Sequence, residues 1–295
     1  LRVRTRIPYD RSMTRLALFA ALVGLPWYLL AVGGVVAAMV WGLRRQARAT
    51  HRRLLRTTPL SPEWRAVVEQ NVSPYVHLPP ALQTKLEGYI NLFLDEKGFE
   101  GCGGQEITDE VRVTIAAQAC LLLIGRDSQC YPRLRSILVY PHTYVAGGKG
   151  LFGGDGDAPS VRLGESWQTG VVVLAWDSVC GGIRNFDDGH NVVLHEFSHQ
   201  LDQEDGSADG TPLLDTLSCY GSWSRCLGRE YQLFLKQVAK HRRTVIDHYG
   251  ATNAAEFFAT ATEAFFEKPE ALSRKHPDLY AELQQYYHLD PVTWG

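Results

Sequence analysis

Apolar and polar residues are distributed along this chain in three different ways. Residues 16–43, LALFAALVGLPWYLLAVGGVVAAMVWGL, carry no charge over 28 positions, whereas a bilayer-spanning helix needs about 20. Trp27, Tyr28 and Trp41 supply aromatics of the kind that settle at a membrane interface, and Pro26 with Gly33 and Gly34 predicts a bend. One transmembrane helix is therefore expected. The rival, a cleaved secretory signal, is disfavoured by the length of the run and by the lack of a clean Ala-x-Ala site after it. Past Pro59 and Pro62 the apolar spacing becomes helical, which predicts helices over residues 63–70, 80–94 and 109–124, the last capped by Thr108. Short β-branched or apolar runs then predict strands over residues 136–140 and 170–176. Between them the glycine-rich residues 147–160 read as a mobile surface loop, since their glycine and lysine spacing does not fit a phosphate-binding loop. Helical spacing returns over residues 191–202, 222–242, 254–267 and 277–287. The acidic turn at residues 202–212 lacks the spacing of a calcium loop. The expected fold class is α+β: a mainly helical domain with a small β-sheet, preceded by one transmembrane helix.

Charge divides the chain at the same place. Its net charge of −2 averages two unlike pieces, because residues 1–60 contain no Glu and one Asp, Asp10, among dense Arg. The expected organisation is a basic segment at 1–15, a membrane helix at 16–43, a basic juxtamembrane linker at 44–60 and a globular domain at 61–295. A domain of that size can bury about 70% of its unfolded surface in one core. The composition, 45% hydrophobic and 21% charged, excludes a disordered, collagen-like or coiled-coil chain. Arg2, Arg4, Arg6, Arg11 and Arg15 precede the apolar run, and Arg44, Arg45, Arg48, Arg52, Arg53 and Arg56 follow it. The first methionine is Met13, and translation starting there leaves only Arg15 in front. The excess of positive charge on the inner side then places the large domain in the cytoplasm of a bacterial inner-membrane protein. No nucleic-acid-binding motif accompanies the arginines, which suit anionic lipid instead. The six cysteines, at 102, 120, 130, 180, 219 and 226, form no C-x-x-C pair and read as reduced thiols.

The chemistry lies in His195-Glu196-Phe197-Ser198-His199, an H-E-x-x-H motif. At about 100° per residue, Val193, Leu194, Phe197 and Leu201 share one helix face while His195 and His199 aim together from the other. Two neutral imidazoles one turn apart are good zinc ligands, and a catalytic zinc takes three protein ligands, leaving a position for water. The third ligand must come from elsewhere. Asp202, Asp205, His241, His248, Glu256, Glu263 and Glu267 are downstream candidates, and a metzincin continuation is absent. In residues 253–267, Glu256, Thr260, Glu263 and Glu267 form one stripe and Phe257, Phe258, Ala261 and Phe265 the other side. An acidic stripe ordinarily faces solvent, the reading expected for Glu267. A helix so rich in Phe and Ala should nevertheless be buried, and a buried carboxylate needs a partner such as a metal. Spacing alone leaves Glu256 and Glu263 as alternatives.

Pro62-Glu63-Trp64-Arg65, Gly164-Glu165-Ser166-Trp167, the stretch from Gly189 through His195 and His199 to Asp202, and Ala255-Glu256-Phe257-Phe258-Ala259 together resemble the Mlc titration factor A family of bacterial zinc peptidases. The resemblance spans nearly all of residues 60–290. It implies a fold similar to the catalytic domain of anthrax lethal factor, one Zn2+ ion, and Glu256 as third ligand beside His195 and His199. It further implies that Tyr249 assists the transition state; His248 is a neighbouring alternative by position, and tyrosine is preferred because it remains a donor at neutral pH. The activity so implied is peptide hydrolysis by a zinc-bound water, with Glu196 as general base. Residues 170–176 are expected to offer an edge strand to an extended peptide or protein substrate. The alternative implied by the same resemblance is a membrane-tethered protein that sequesters a glucose-responsive transcriptional repressor, its zinc structural or regulatory, with no direct contact to nucleic acid. The apolar leader departs from the soluble members of that family.

Overall fold

The computed structural model of the chain describes residues 27–126, 129–142, 145–146, 149–150 and 170–294. The chain divides into two compact units, Leu1–Arg53 and Leu54–Gly295. Helix α1, Trp27–Thr57, starts within the apolar run and continues unbroken through the basic stretch expected as a linker. Val35, Met39, Trp41 and Leu43 on it are each more than half exposed. Among the described residues no helix is long and apolar enough to cross a membrane, and residues 16–26 of the expected span lie outside them.

The second unit opens with the last turn of α1 and with α2, Pro62–Asn71, which Ser61 caps by accepting the Trp64 N–H. Next come α3, Pro80–Glu96, strand β1, Gly98–Gly101, and α4, Asp109–Leu121, capped by the Thr108 hydroxyl as expected. Strand β2 covers Ser136–Tyr140, and the two-residue strands β3, Val145–Ala146, and β4, Lys149–Gly150, pair antiparallel. The rest of the glycine-rich loop lies outside the described residues. Strand β5, Val171–Ala175, leads directly into α5, Trp176–Arg184. Then follow α6, Val192–Asp202, α7, Cys219–Val238, α8, Ala254–Glu267, α9, Pro269–Lys275, and α10, Pro277–Tyr287.

The architecture is mainly helical α+β, and beside the β3-β4 pair it has a small three-stranded sheet of order β1-β2-β5, all parallel. Ile137 and Val139 pair with Val172 and Leu174, and all four are buried, as a sheet covered by helices requires. β1 escaped sequence reading because Gly-Phe-Glu-Gly has little strand propensity. Its backbone is recruited by β2, with the Gly98 N–H donating to the Arg135 carbonyl at 2.9 Å. Helix α5 escaped for a similar reason, since Gly181 and Gly182 weaken it locally. Boundaries also moved: α4 stops at Leu121, short of residue 124, and α7 occupies Cys219–Val238 where 222–242 was expected.

The apolar face of α6 decides where its histidines point. Phe197 is fully buried, 5.7 Å from the Phe93 ring of α3 and 4.9 Å from the Tyr131 ring. Val193, Leu194 and Leu201 sink into the same core. Phe197→Ala is expected to cost about 3–5 kcal/mol, the usual penalty for emptying a buried aromatic site. Denaturant unfolding of the full chain, monitored by circular dichroism, measures it.

Candidate metal centre

Asn191 starts α6. Its side-chain oxygen accepts the Val193 and Leu194 N–H groups, both at 3.1 Å, which secures the first turn of a helix that begins three residues before His195. One turn of helix then separates His195 from His199, and their Nε2 atoms stand 3.3 Å apart. Glu256 comes from the first turn of α8, whose own cap is Asn253 accepting the Glu256 N–H at 2.9 Å. One Glu256 oxygen lies 3.0 Å from His195 Nε2 and 3.3 Å from His199 Nε2. The structure thus selects Glu256 for the cluster and sets Glu263 behind it. The Glu263 carboxylate takes His195 Nδ1 at 2.8 Å and, through its other oxygen, the Asn191 backbone N–H at 2.6 Å.

The contact with Nδ1 determines the tautomer. With Nδ1 donating to Glu263, the neutral His195 ring carries its lone pair on Nε2, aimed at His199 and Glu256. Three ligand atoms from His195, His199 and Glu256 lie within 4.8 Å of one another. Two nitrogens about 2.0–2.1 Å from one tetrahedral zinc would stand about 3.3 Å apart, so the observed spacing fits that ion. Electrostatics agree. Burial opposes charge on His195, but the Glu256 and Glu263 carboxylates raise its proton affinity well above the usual histidine range. Burial likewise opposes ionised Glu256, yet the two rings hold its carboxyl down at about 2. A pocket that binds a proton so strongly is one with uncompensated negative potential, which a divalent cation satisfies equally.

Glu196, beside His195, is buried with 4% of its surface exposed. Tyr249 stands on the open side, 43% exposed, its ring 5.8 Å from that of His195. Burial of its inner part, with Glu256 and Glu196 close by, pushes its phenol up to about 12, so it keeps its proton. Gly250 makes this placement possible: a Cβ there would collide with the Thr260 hydroxyl of α8, so only glycine lets the Tyr249 turn lie on the helix. Asp247 completes the turn by accepting the Tyr249 N–H at 2.7 Å.

The remaining candidates are elsewhere. His248 pairs with the Arg242 carbonyl at 3.1 Å, Asp205 with the Ser207 N–H at 2.8 Å, and Asp202 with the Gly210 N–H at 2.9 Å. Glu267 corrects an expectation. It is 5% exposed instead of solvated, because α8 packs on every side, and burial pushes its carboxyl up to about 8. The segment Gly164-Glu165-Ser166-Trp167 lies outside the described residues.

A family model described as glucose-regulated metallo-peptidase M90 matches residues 44–288. The chain belongs to this family. An uncharacterized protein from Synechocystis sp. is 42% identical over 262 residues, 87% of this chain and 94% of its own. Mlc titration factor A of Klebsiella pneumoniae is 31% identical over 225 residues, 73% of this chain and 82% of its own. The Serratia proteamaculans protein of the same name is 30% identical over 217 residues, covering 72% and 81%. As an M90 metallo-peptidase family member the chain carries a His-His-Glu cluster of the kind a metal-dependent hydrolase needs, and its geometry fits a metal.

Zinc binding separates the two glutamates. Glu256→Ala is expected to lose the metal, while Glu263→Ala weakens affinity about 10–100-fold by releasing the His195 ring. Competition with a chromophoric chelator measures both, and equal losses would contradict the assignment.

Proposed function

We propose that the chain is a membrane-anchored zinc metallopeptidase that hydrolyses peptide bonds in a peptide or protein substrate. The observation that carries this reading is the convergence of His195, His199 and Glu256 with buried Glu196 and half-exposed Tyr249 beside them. Zinc held by the three side chains would supply a Lewis acid that polarises the scissile carbonyl and brings the pKa of water to about 7.

Each neighbouring residue then has a task. Glu263 holds His195 as the tautomer that offers Nε2. Glu196 accepts the proton of the attacking water and delivers it to the leaving amine, a shuttle suited to a carboxylate that water cannot freely solvate. Tyr249 donates its hydroxyl proton in a hydrogen bond to the developing oxyanion, for which a phenol that stays protonated is required. Strand β5 lies at an edge of the described sheet and offers main-chain groups to an extended substrate.

The setting is part of the proposal. Residues 1–15 form a basic segment, 16–43 the membrane helix, 44–60 the basic juxtamembrane segment and 61–295 the peptidase domain, which faces the cytoplasm of a bacterial inner membrane. The uncharged run and the arginine imbalance support this reading. A second reading, sequestration of a transcriptional repressor at the membrane, draws on the name Mlc titration factor A carried by relatives. A purely structural zinc site would need neither Glu196 nor Tyr249, which favours the enzyme.

Glu196→Gln is expected to abolish peptidase activity while zinc content stays near one per chain; activity surviving with zinc in place would remove the proposed base. Tyr249→Phe should lower kcat about 10²-fold with metal content preserved, the usual effect of deleting one oxyanion donor. Steady-state kinetics beside elemental analysis read out both variants.

A further inference from the structure

A second concavity adjoins the metal centre. It encloses about 360 Å³, and Arg242, Arg243, Lys268, His190, Asp247 and His248 line it. The two sites share structure: His190 immediately precedes the cap of α6, and Asp247 holds the turn that carries Tyr249.

The cations are delivered there by the end of α7. The His241 N–H bonds the Val238 carbonyl at 2.8 Å and the Arg242 N–H bonds the Gln237 carbonyl at 3.1 Å, with His241 in the left-handed region at φ 51°. This is a Schellman turn with histidine where glycine is usual. It swings Arg242 and Arg243 off the helix axis, and His248 Nε2 fastens the Arg242 carbonyl at 3.1 Å. Lys268 enters from the other side, just past α8. Its side chain lies along Gly189, whose left-handed backbone at φ 74° favours glycine.

The acids of the cleft are already engaged. Asp247 accepts the Tyr249 N–H and lies 3.5 Å from His190 Nε2, and Asp188 accepts the His190 N–H at 2.9 Å and an Asn185 amide hydrogen at 2.7 Å. Among the described residues Arg242, Arg243 and Lys268 form no ion pair. Arg242, Arg243 and Lys268 outnumber the two carboxylates of the cleft, Asp188 and Asp247, so the potential inside it is positive on balance. A planar carboxylate suits arginine in such a place, because it accepts two parallel hydrogen bonds.

We propose that this cleft is a substrate subsite for a carboxylate, supplied by an acidic side chain near the scissile bond or by a free peptide C-terminus. The proposal rests on the peptidase reading and names the chemistry of its substrate. The full-length zinc protein in detergent is offered blocked alanine hexapeptides in which Glu or Gln occupies each position in turn, and an alanine hexapeptide with a free or an amidated C-terminus. At one position kcat/KM for Glu should exceed that for Gln about tenfold or more, and the ratio should fall toward one in Arg242→Gln/Arg243→Gln and in Lys268→Gln. A preference for the free C-terminus, abolished by the same variants, assigns the carboxylate to the chain end. Cleavage with neither preference, or a preference that survives the variants, overturns the subsite. Calorimetric binding of the same peptides to Glu196→Gln protein separates this result from failure of the peptidase reading: a variant-sensitive carboxylate preference in binding without turnover by the wild type would leave the cleft standing and remove the enzyme.

Discussion

The pair of hydrogen bonds made by Glu263 is the contact on which the centre depends. One carboxylate oxygen takes the His195 ring and the other the Asn191 backbone N–H, so a single side chain of α8 grips both the start and the first histidine of α6. Charge-assisted bonds of this kind are short and strong, and the low-dielectric surroundings strengthen them further. Without the grip, α6 would still form, since Asn191 caps it and Phe197 anchors it. The lone pair of His195 would no longer be committed to the position that His199 and Glu256 share.

Helix α8 carries an unusual burden for this purpose. Glu256, Glu263 and Glu267 are all buried, while Phe257, Phe258 and Phe265 pack against Tyr231 and Phe234, Trp223 and Tyr286, and Tyr280 and Tyr287 respectively. Three ionised carboxylates in so apolar a helix would be costly unless each is compensated. Along its length the compensation changes. Glu256 meets two imidazoles, Glu263 meets a ring N–H and a backbone N–H, and Glu267 is raised in pKa so that at neutral pH its carboxyl tends to hold its proton. The demand for positive charge is concentrated at the Glu256 end, where the histidines converge and where the M90 family membership leads one to expect a metal.

Around this anionic centre the protein places cations at one remove. Arg242, Arg243 and Lys268 sit beyond Tyr249, across the turn that Asp247 and Gly250 hold against α8. Negative potential at the metal cluster comes from α6 and α8, and positive potential beside it from the end of α7 together with Lys268 just past α8.

Much of this was legible from residue order. The H-E-x-x-H spacing, the apolar face with Phe197, the Thr108 cap and the bounds of α8 and α10 all rest on local periodicity, and the family resemblance that pointed to Glu256 rests on long sequence motifs; neither needs knowledge of distant contacts. The strand Gly98–Gly101, the helix Trp176–Arg184, the buried state of Glu267 and the role of Glu263 were not legible. Each arises from a partner far away in the chain: β2 recruits a glycine-rich segment, and residues 191 and 195 capture a carboxylate about 70 positions later. Sequence by itself determined which side chains could bind a metal and which face of α6 would be buried, because helical geometry sets both from neighbouring residues. Spacing alone left open which of two glutamates about two turns apart on α8 reaches the imidazoles and which stands behind them, and the tertiary structure decided it. That choice depends on how α8 packs against α6, a relation between elements that no local pattern encodes.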